Sequence, residues 1–195
     1  TWGKGRGVAR VQRLAQGRKG AESPNNVGGR RAHPPKVEHS WAKKINQKEK
    51  RLAIASAIAA TSDPERVRSR GHRFDQKVTV PLVVDDSMED FIQTKDVLSM
   101  FDSLGISDDI KRSSDGKHIR AGRGKMRGRR FRQPKSVLLV ASKGSSILTG
   151  GRNLPGVNTI DPENLNTELL APGGDPGRLV VFSKKALETL GGVSE

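Results

Sequence analysis

From residue 46 onward, apolar positions recur at helical spacing, then in short runs, then at helical spacing again; before residue 46 they keep no period. Asn46 with Glu49 three positions later reads as a capping-box start. Leu52, Ile54, Ala55, Ile58 and Ala59 then give a helix a broad apolar face that ends before Thr61. Asp63-Pro64 opens a second, short helix with proline at its first position, and Gly71 stops it. Residues 78–84 form an apolar strand whose Pro81 lacks an N–H and suits an edge or the strand's beginning. Val97, Leu98, Phe101 and Leu104 share a helical face closed by Gly105, and 107–112 reads as a weak strand.

Residues 136–141 are the clearest buried strand in the chain. A Gly/Ser turn and a short helical piece lead to Arg152-Asn153, and 156–160 is another short strand. Residues 162–170 read as a helix, 172–177 as a turn-rich loop and 178–182 as a strand. Ser183 caps a last helix with Ala186, Leu187 and Leu190 on one face. This alternation of helices and short apolar strands predicts an α/β fold, a single Rossmann-like domain with a mainly parallel sheet, over residues 37–195. Its strand order is not readable from the pattern.

Residues 1–36 are predicted to be an extended basic arm. Gly3, Gly5, Gly7, Gly17, Gly20, Gly28 and Gly29 alternate with Arg and Lys, and Pro24, Pro34 and Pro35 block regular structure. Free in solution such a segment cannot offset its ordering entropy by burial, so disorder is expected. The chain also opens without Met, inside a Gly-Lys-Gly-Arg-Gly run, and reads as a piece whose N-terminal part is missing.

Charge sharpens this division. Residues 1–50 hold 13 Lys/Arg against 3 Asp/Glu, and residues 111–135 hold 11 against 1, within a chain of net charge +15. The remainder is slightly acidic. Both cationic stretches are too poor in large apolar side chains to fold around a core of their own. They call for a polyanion, and nucleic acid is the natural one.

Other chemistries find little support. With no Cys there is no disulfide framework, thiolate metal site or cysteine nucleophile. His33, His39, His72 and His118 show no metal-ligand spacing, and no serine sits in a GxSxG elbow. Gly122-Arg123-Gly124, Gly150-Gly151-Arg152-Asn153 and Pro172-Gly173-Gly174 do not pass from a strand into a helix as a dinucleotide fingerprint must. Asp85-Asp86 with Glu89-Asp90 is read as a helix start, where anions complement the dipole. No catalytic residue, metal or cofactor is expected. Without an apolar run of about 18 residues or an apolar leader, neither a membrane span nor a secretory signal is predicted.

Within 120–132, Arg outnumbers Lys, and guanidinium forks match phosphates bidentately. The interspersed glycines let the backbone approach a phosphate chain. Trp2, His33 and Phe131 are available to stack on unpaired bases. The RNA-binding candidates of the first segment are Trp2, Lys4, Arg6, Arg10, Arg13, Arg18, Lys19, Arg30, Arg31, His33 and Lys36. Those of the second are Lys117, Arg120, Arg123, Lys125, Arg127, Arg129, Arg130 and Arg132, with Arg152 beyond it. RNA is favoured over DNA, since no helix-turn-helix, zinc-finger or basic-zipper pattern appears.

Several strings, in order, carry a resemblance. They are Gly28-Gly29-Arg30-Arg31-Ala32-His33-Pro34-Pro35-Lys36; Gly71-His72; Ala121-Gly122-Arg123-Gly124-Lys125-Met126-Arg127-Gly128-Arg129-Arg130; Arg152-Asn153-Leu154-Pro155-Gly156; and Leu170-Ala171-Pro172-Gly173-Gly174 followed by Pro176-Gly177-Arg178-Leu179. From about residue 3 to 190 the chain resembles the archaeal/eukaryotic branch of the large-subunit ribosomal protein L-four family. The resemblance implies a structural constituent of the cytoplasmic ribosome that binds large-subunit ribosomal RNA, aids assembly and helps line the nascent-peptide exit tunnel. Its partners would be that RNA, neighbouring ribosomal proteins and, near the arm tip at about residues 10–26, the nascent peptide. Residues 117–135 would be a second RNA-binding element projecting from the body. Family members usually begin with a strand and a helix before the loop, and this chain has neither. Two other readings stay open on the residues alone: an RNA-modifying enzyme on a Rossmann-like sheet, and a regulatory RNA binder acting away from the ribosome.

Overall fold

The computed structural model describes residues 1–193. The chain divides into two compact units, Thr1–Lys44 and Ile45–Glu195.

The first unit contains no helix and no strand ladder. Its one regular feature is an antiparallel bridge between Arg13 and Gly20. Main-chain bonds from Leu14 N to Lys19 O (3.1 Å) and from Ala21 N to Gln12 O (2.8 Å) extend that bridge into a small hairpin. Gly17, at φ +95°, turns it in a conformation that a side chain would strain.

In the second unit, α1 (Gln47–Thr61) starts after Asn46, whose side chain makes no capping bond. Its buried face is narrower than the sequence suggests: Ala57, Ala60 and Thr61 are buried, Ile54 and Ile58 pack partly, and Leu52, Ala55 and Ala59 face solvent. α2 (Pro64–Ser69) is capped by Asp63, whose Oδ1 accepts from Glu65 N at 3.0 Å. The expected strand at 78–84 shortens to β1 (Leu82–Val84). A 3-10 turn over Asp86–Asp90 leads to α3 (Thr94–Ser103), which buries Val97, Met100 and Phe101.

α4 (Ser107–Asp115) replaces the strand predicted at 107–112. Within that window only Ile110 is apolar. Its i−4 companion Ile106, also buried, precedes the window, so the helical spacing was cut in half. Lys111–Asp108 and Arg112–Asp109 pairs at i,i+3 support the helix.

β2 (His118–Ile119) and β3 (Phe131–Arg132) form an antiparallel ladder, with His118 opposite Arg132 and Ile119 opposite Phe131. Then come β4 (Leu138–Val140), α5 (Ile147–Gly150) and β5 (Asn158–Ile160). The single helix expected at 162–170 is instead a 3-10 turn (Pro162–Asn164) and a separate short helix, α6 (Thr167–Leu170). Leu165 and Asn166 are extended, and Asn166 Oδ1 accepts from Leu169 N at 2.9 Å, which restarts the helix. β6 (Val180–Ser183) passes into α7 (Lys184–Val193), where Ser183 Oγ accepts from Ala186 N at 3.1 Å.

β1, β6, β4 and β5 form, in that order, a parallel sheet. Its alternating side chains split the core. Val137, Leu139, Leu179 and Val181 face Val97, Phe101, Ile110 and Ile147, while Leu138, Val140, Val180 and Phe182 face Ala57, Leu165, Leu170 and Ala186. The second unit is thus a mixed α/β fold: a four-stranded parallel sheet whose central strands β4 and β6 are buried on both faces, plus the small antiparallel ladder.

Candidate nucleic-acid interface

The loop between α4 and β4 contains the second cationic segment, and its root is fixed by a buried polar network. Asp109 is fully buried, yet its carboxylate accepts from Arg73 N (3.0 Å), Arg112 Nε (2.9 Å) and Ser136 Oγ (2.6 Å). His72 Nδ1 lies 3.0 Å from its Oδ2; an ionised carboxylate only accepts, so the proton sits on Nδ1. Burial opposes ionisation of Asp109, but the bonds from His72, Arg112 and Ser136 outweigh it and lower its pKa from 3.8 to about 2.

The returning end of the loop is tied back to α4, from which the loop departs. Ser113 Oγ donates to Pro134 O (2.8 Å), Gln133 Nε2 to Ser113 O (3.4 Å) and Arg112 Nη2 to Lys135 O (2.8 Å). Behind them Arg178, fully buried, donates Nε to Ser136 O (2.8 Å), Nη1 to Leu169 O (2.8 Å) and Nη2 to Asn158 Oδ1 (2.9 Å). Burial and the neighbouring Arg70 bring its pKa down to about 10, so it stays charged at neutral pH. One guanidinium therefore ties together the starts of β4, β5 and β6.

Above this root stands the β2–β3 ladder, whose tip is a 3-10 turn over Arg123–Arg127 closed by Gly128 in the left-handed conformation (φ +79°). Lys117, Arg123, Lys125, Arg127, Arg129, Arg130 and Arg132 are exposed and Arg120 is half-buried. Phe131 is 49% exposed, with Lys117 Nζ 4.9 Å and Arg130 Cζ 5.6 Å from its ring centroid.

Among the described residues, none of these cations has a carboxylate partner. Among the described residues, the Lys/Arg ion pairs are Arg66–Asp63, Lys111–Asp108, Arg112–Asp109, Lys143–Glu163 and Lys184–Asp85, all outside 117–135 and outside the first unit. Arg152 lies in the loop before β5, and a cleft of about 420 Å³ brings it together with Lys117 and Lys135 at the ladder's foot.

In the first unit, Trp2 is half-buried, with Arg6 Cζ 5.0 Å and Arg13 Cζ 5.5 Å from its ring centroid. Arg13 also donates to the carbonyls of Ala9 and Arg18. Lys4, Arg6, Arg10, Arg18, Lys19, Arg30, Arg31, His33 and Lys36 are exposed. The hairpin at residues 12–21 falls within the expected tip.

Asp86 and Glu89 lie in the first turn of the 3-10 helix Asp86–Asp90, and Asp85 and Asp86 also meet the start of α7. Asp86 Oδ1 accepts from Lys185 N (3.0 Å) and Asp85 pairs with Lys184, both in the first turn of α7. Glu89 accepts from Ser142 N (2.9 Å), Ser142 Oγ (2.7 Å) and Ser183 Oγ (2.6 Å). Burial opposes its ionisation and the serine bonds outweigh it, so its pKa falls below the usual value. Among the described residues, no group of three His, Cys, Asp or Glu is placed to hold a metal ion.

Sequence reasoning did not single out Asp109, His72, Ser136 or Arg178 as a unit. One signal was available: a charged Arg178 directly before the apolar run 179–182 is a misfit that demands buried acceptors.

A model of the family described as "Ribosomal protein L4/L1 family" matches residues 1–193. Among curated proteins, the large ribosomal subunit protein uL4 of Methanococcoides burtonii is 49% identical over 193 residues, covering 99% of this chain and 76% of the relative. The uL4 of Archaeoglobus fulgidus is 51% identical over 190 residues, covering 97% of this chain and 75% of the relative. That of Methanocaldococcus jannaschii is 50% identical over 188 residues, covering 96% and 74%.

Proposed function

This chain belongs to the ribosomal protein L4/L1 family, and on that premise we propose that it is a structural constituent of the large ribosomal subunit that clamps ribosomal RNA without chemistry of its own. The observation that carries the reading is the set of cations at 117–132: rigidly rooted, projecting into solvent and without one protein carboxylate among them. Like charges held this close repel one another unless an outside polyanion neutralises them. Phosphates do so, and release of condensed counterions supplies the driving force.

Residues 1–36 act in this reading as a second, extended arm. Its tip near residues 10–26 lines the peptide exit tunnel and touches the growing chain, while neighbouring ribosomal proteins contact the body. The strand order, in which β6 returns between β1 and β4, is read as Rossmann-like. The ends of β4 and β6, where an open parallel sheet receives a phosphate, hold the Glu89 carboxylate on Ser142 and Ser183 instead. This favours a structural role over an RNA-modifying one.

The test is binding of the purified chain to large-subunit ribosomal RNA across a KCl series, with gradient fractionation of cell extracts. Affinity is expected to fall by about 0.7–0.9 log units per log unit of salt for each phosphate contacted, and the protein to sediment with large subunits. Salt-insensitive binding, or a protein absent from those fractions, overturns the proposal.

A further inference from the structure

We infer that the cleft at the foot of the β2–β3 ladder is a preformed receptor for one unstacked RNA nucleotide; this rests on the RNA-binding reading above and goes beyond it. The cleft is lined by Ser114 at the end of α4, by Lys117, Gln133 and Lys135 where the loop leaves and re-enters the body, and by Arg152 and Asn153 from the loop before β5. Three cations thus converge from three separate stretches of chain onto one concavity.

Its volume, about 420 Å³, lies at the small end of the roughly 300–1,000 Å³ that holds compact ligands. That space is of a size to take one nucleotide. The Arg152 guanidinium, the Asn153 amide and the Ser114 hydroxyl have no hydrogen-bond or ion-pair partner among the described residues. They supply phosphate donors and groups able to read a base edge.

The walls do not need to move. Ser113 Oγ holds Pro134 O, and Gly156 O accepts from Ser136 N at 2.9 Å and from Arg178 Nη2 at 3.3 Å. Lys135 Nζ donates to Asn158 Oδ1 at 3.3 Å, and Arg178 donates to that same oxygen from behind. The backbone of the site is therefore held by the network that roots the loop, and binding has only the side chains of Ser114, Arg152 and Asn153 to order. The exposed tip cations, by contrast, meet phosphates with no concave partner and give affinity with little discrimination.

The test is nucleotide-resolution chemical probing of large-subunit ribosomal RNA bound to the chain and to Asn153→Ala, Arg152→Ala, Arg152→Lys and Arg129→Ala variants. All four substitutions are at exposed positions. With the unaltered chain, one unpaired nucleotide is expected to become protected. In Asn153→Ala and Arg152→Ala that nucleotide alone regains reactivity and affinity falls about tenfold, the loss of a good base-directed contact. Arg152→Lys keeps the charge and restores part of the affinity. Arg129→Ala weakens binding without re-exposing that nucleotide. If RNA binds but the cleft variants alter no individual nucleotide, the cleft proposal falls and the RNA-clamp reading stands. If the unaltered chain protects nothing, both fall.

Discussion

The Asp109 carboxylate and the His72 imidazole meet at 3.0 Å with side chains 0% and 1% exposed, on opposite sides of 36 intervening residues. The contact joins the stretch after α2 to α4, and through Ser136 it reaches the start of β4. Replacing Asp109 with Ala strands four donors, His72 Nδ1 and Ser136 Oγ in buried bonds and Arg73 N and Arg112 Nε in part-buried ones. Removing one partner from a buried, hydrogen-bonded charge costs about 3–5 kcal/mol. Asp109→Ala is therefore expected to shift the urea midpoint down by that equivalent. A midpoint unchanged from the parent protein shows that the network carries no stability.

The same carboxylate sets an acid limit. Its folded pKa, about 2, is below the ordinary 3.8. A carboxylate depressed in the folded state contributes stability that is fully present above its unfolded pKa and is lost as pH falls through the folded one. Between pH 4 and 2 the chain should lose about 2 kcal/mol from this group. Glu89, also lowered, adds to the loss in the same direction from a start near 4.5. Asp109→Asn should flatten the stability profile in this window. Measured by urea unfolding at stepped pH, a variant profile as steep as the parent's removes Asp109 from the account.

What the sequence made legible was local. Residues 136–141 read as a buried strand because an unbroken apolar run has few other uses, and every one of them is buried. The Asp63-Pro64 start and the Ser183 cap were legible because each cap is written within three residues of its donors. Leu52 misled because apolar side chains one turn apart look alike whether or not a neighbour covers them; the sheet reaches Ala57 and not Leu52. The pairing of 118–119 with 131–132 was hidden because two-residue strands leave no period, and charge dominates the composition between them. The charged root was hidden for another reason. His72, Asp109, Ser136 and Arg178 acquire meaning only from partners tens of residues away, so none stands out in any local window.

Gly156 tests how tightly that root is packed. It sits at φ +70°, and a Cβ there would meet Pro134 O at 2.5 Å, with Ser113 Oγ also in the way. The obstruction includes the Pro134 carbonyl, which Ser113 Oγ already holds, so it does not swing aside freely. Left-handed strain of about 1–2 kcal/mol adds to the clash. Gly156→Ala should therefore lower thermal stability and, by displacing Pro134, disturb chemical shifts of 131–135 along with its own loop. A melting temperature equal to the parent's, with shifts confined to residue 156, contradicts this packing.

Arg127, Arg129 and Arg130 separate binding from folding. Their side chains are exposed, pair with no carboxylate and contribute nothing to either apolar cluster. Converting all three to Ala removes mutual repulsion, so the folded body should melt at the parent's temperature or slightly above it. RNA affinity should drop at low salt, and the slope of log K against log salt should shrink by about 0.7–0.9 for each lost phosphate contact. Because the loss is electrostatic, parent and variant should converge in affinity as KCl rises. A constant ratio of affinities across the salt series would instead mean that these arginines read shape or bases rather than neutralise phosphates. A collapsed melting temperature would mean that the 3-10 tip is part of the folded core.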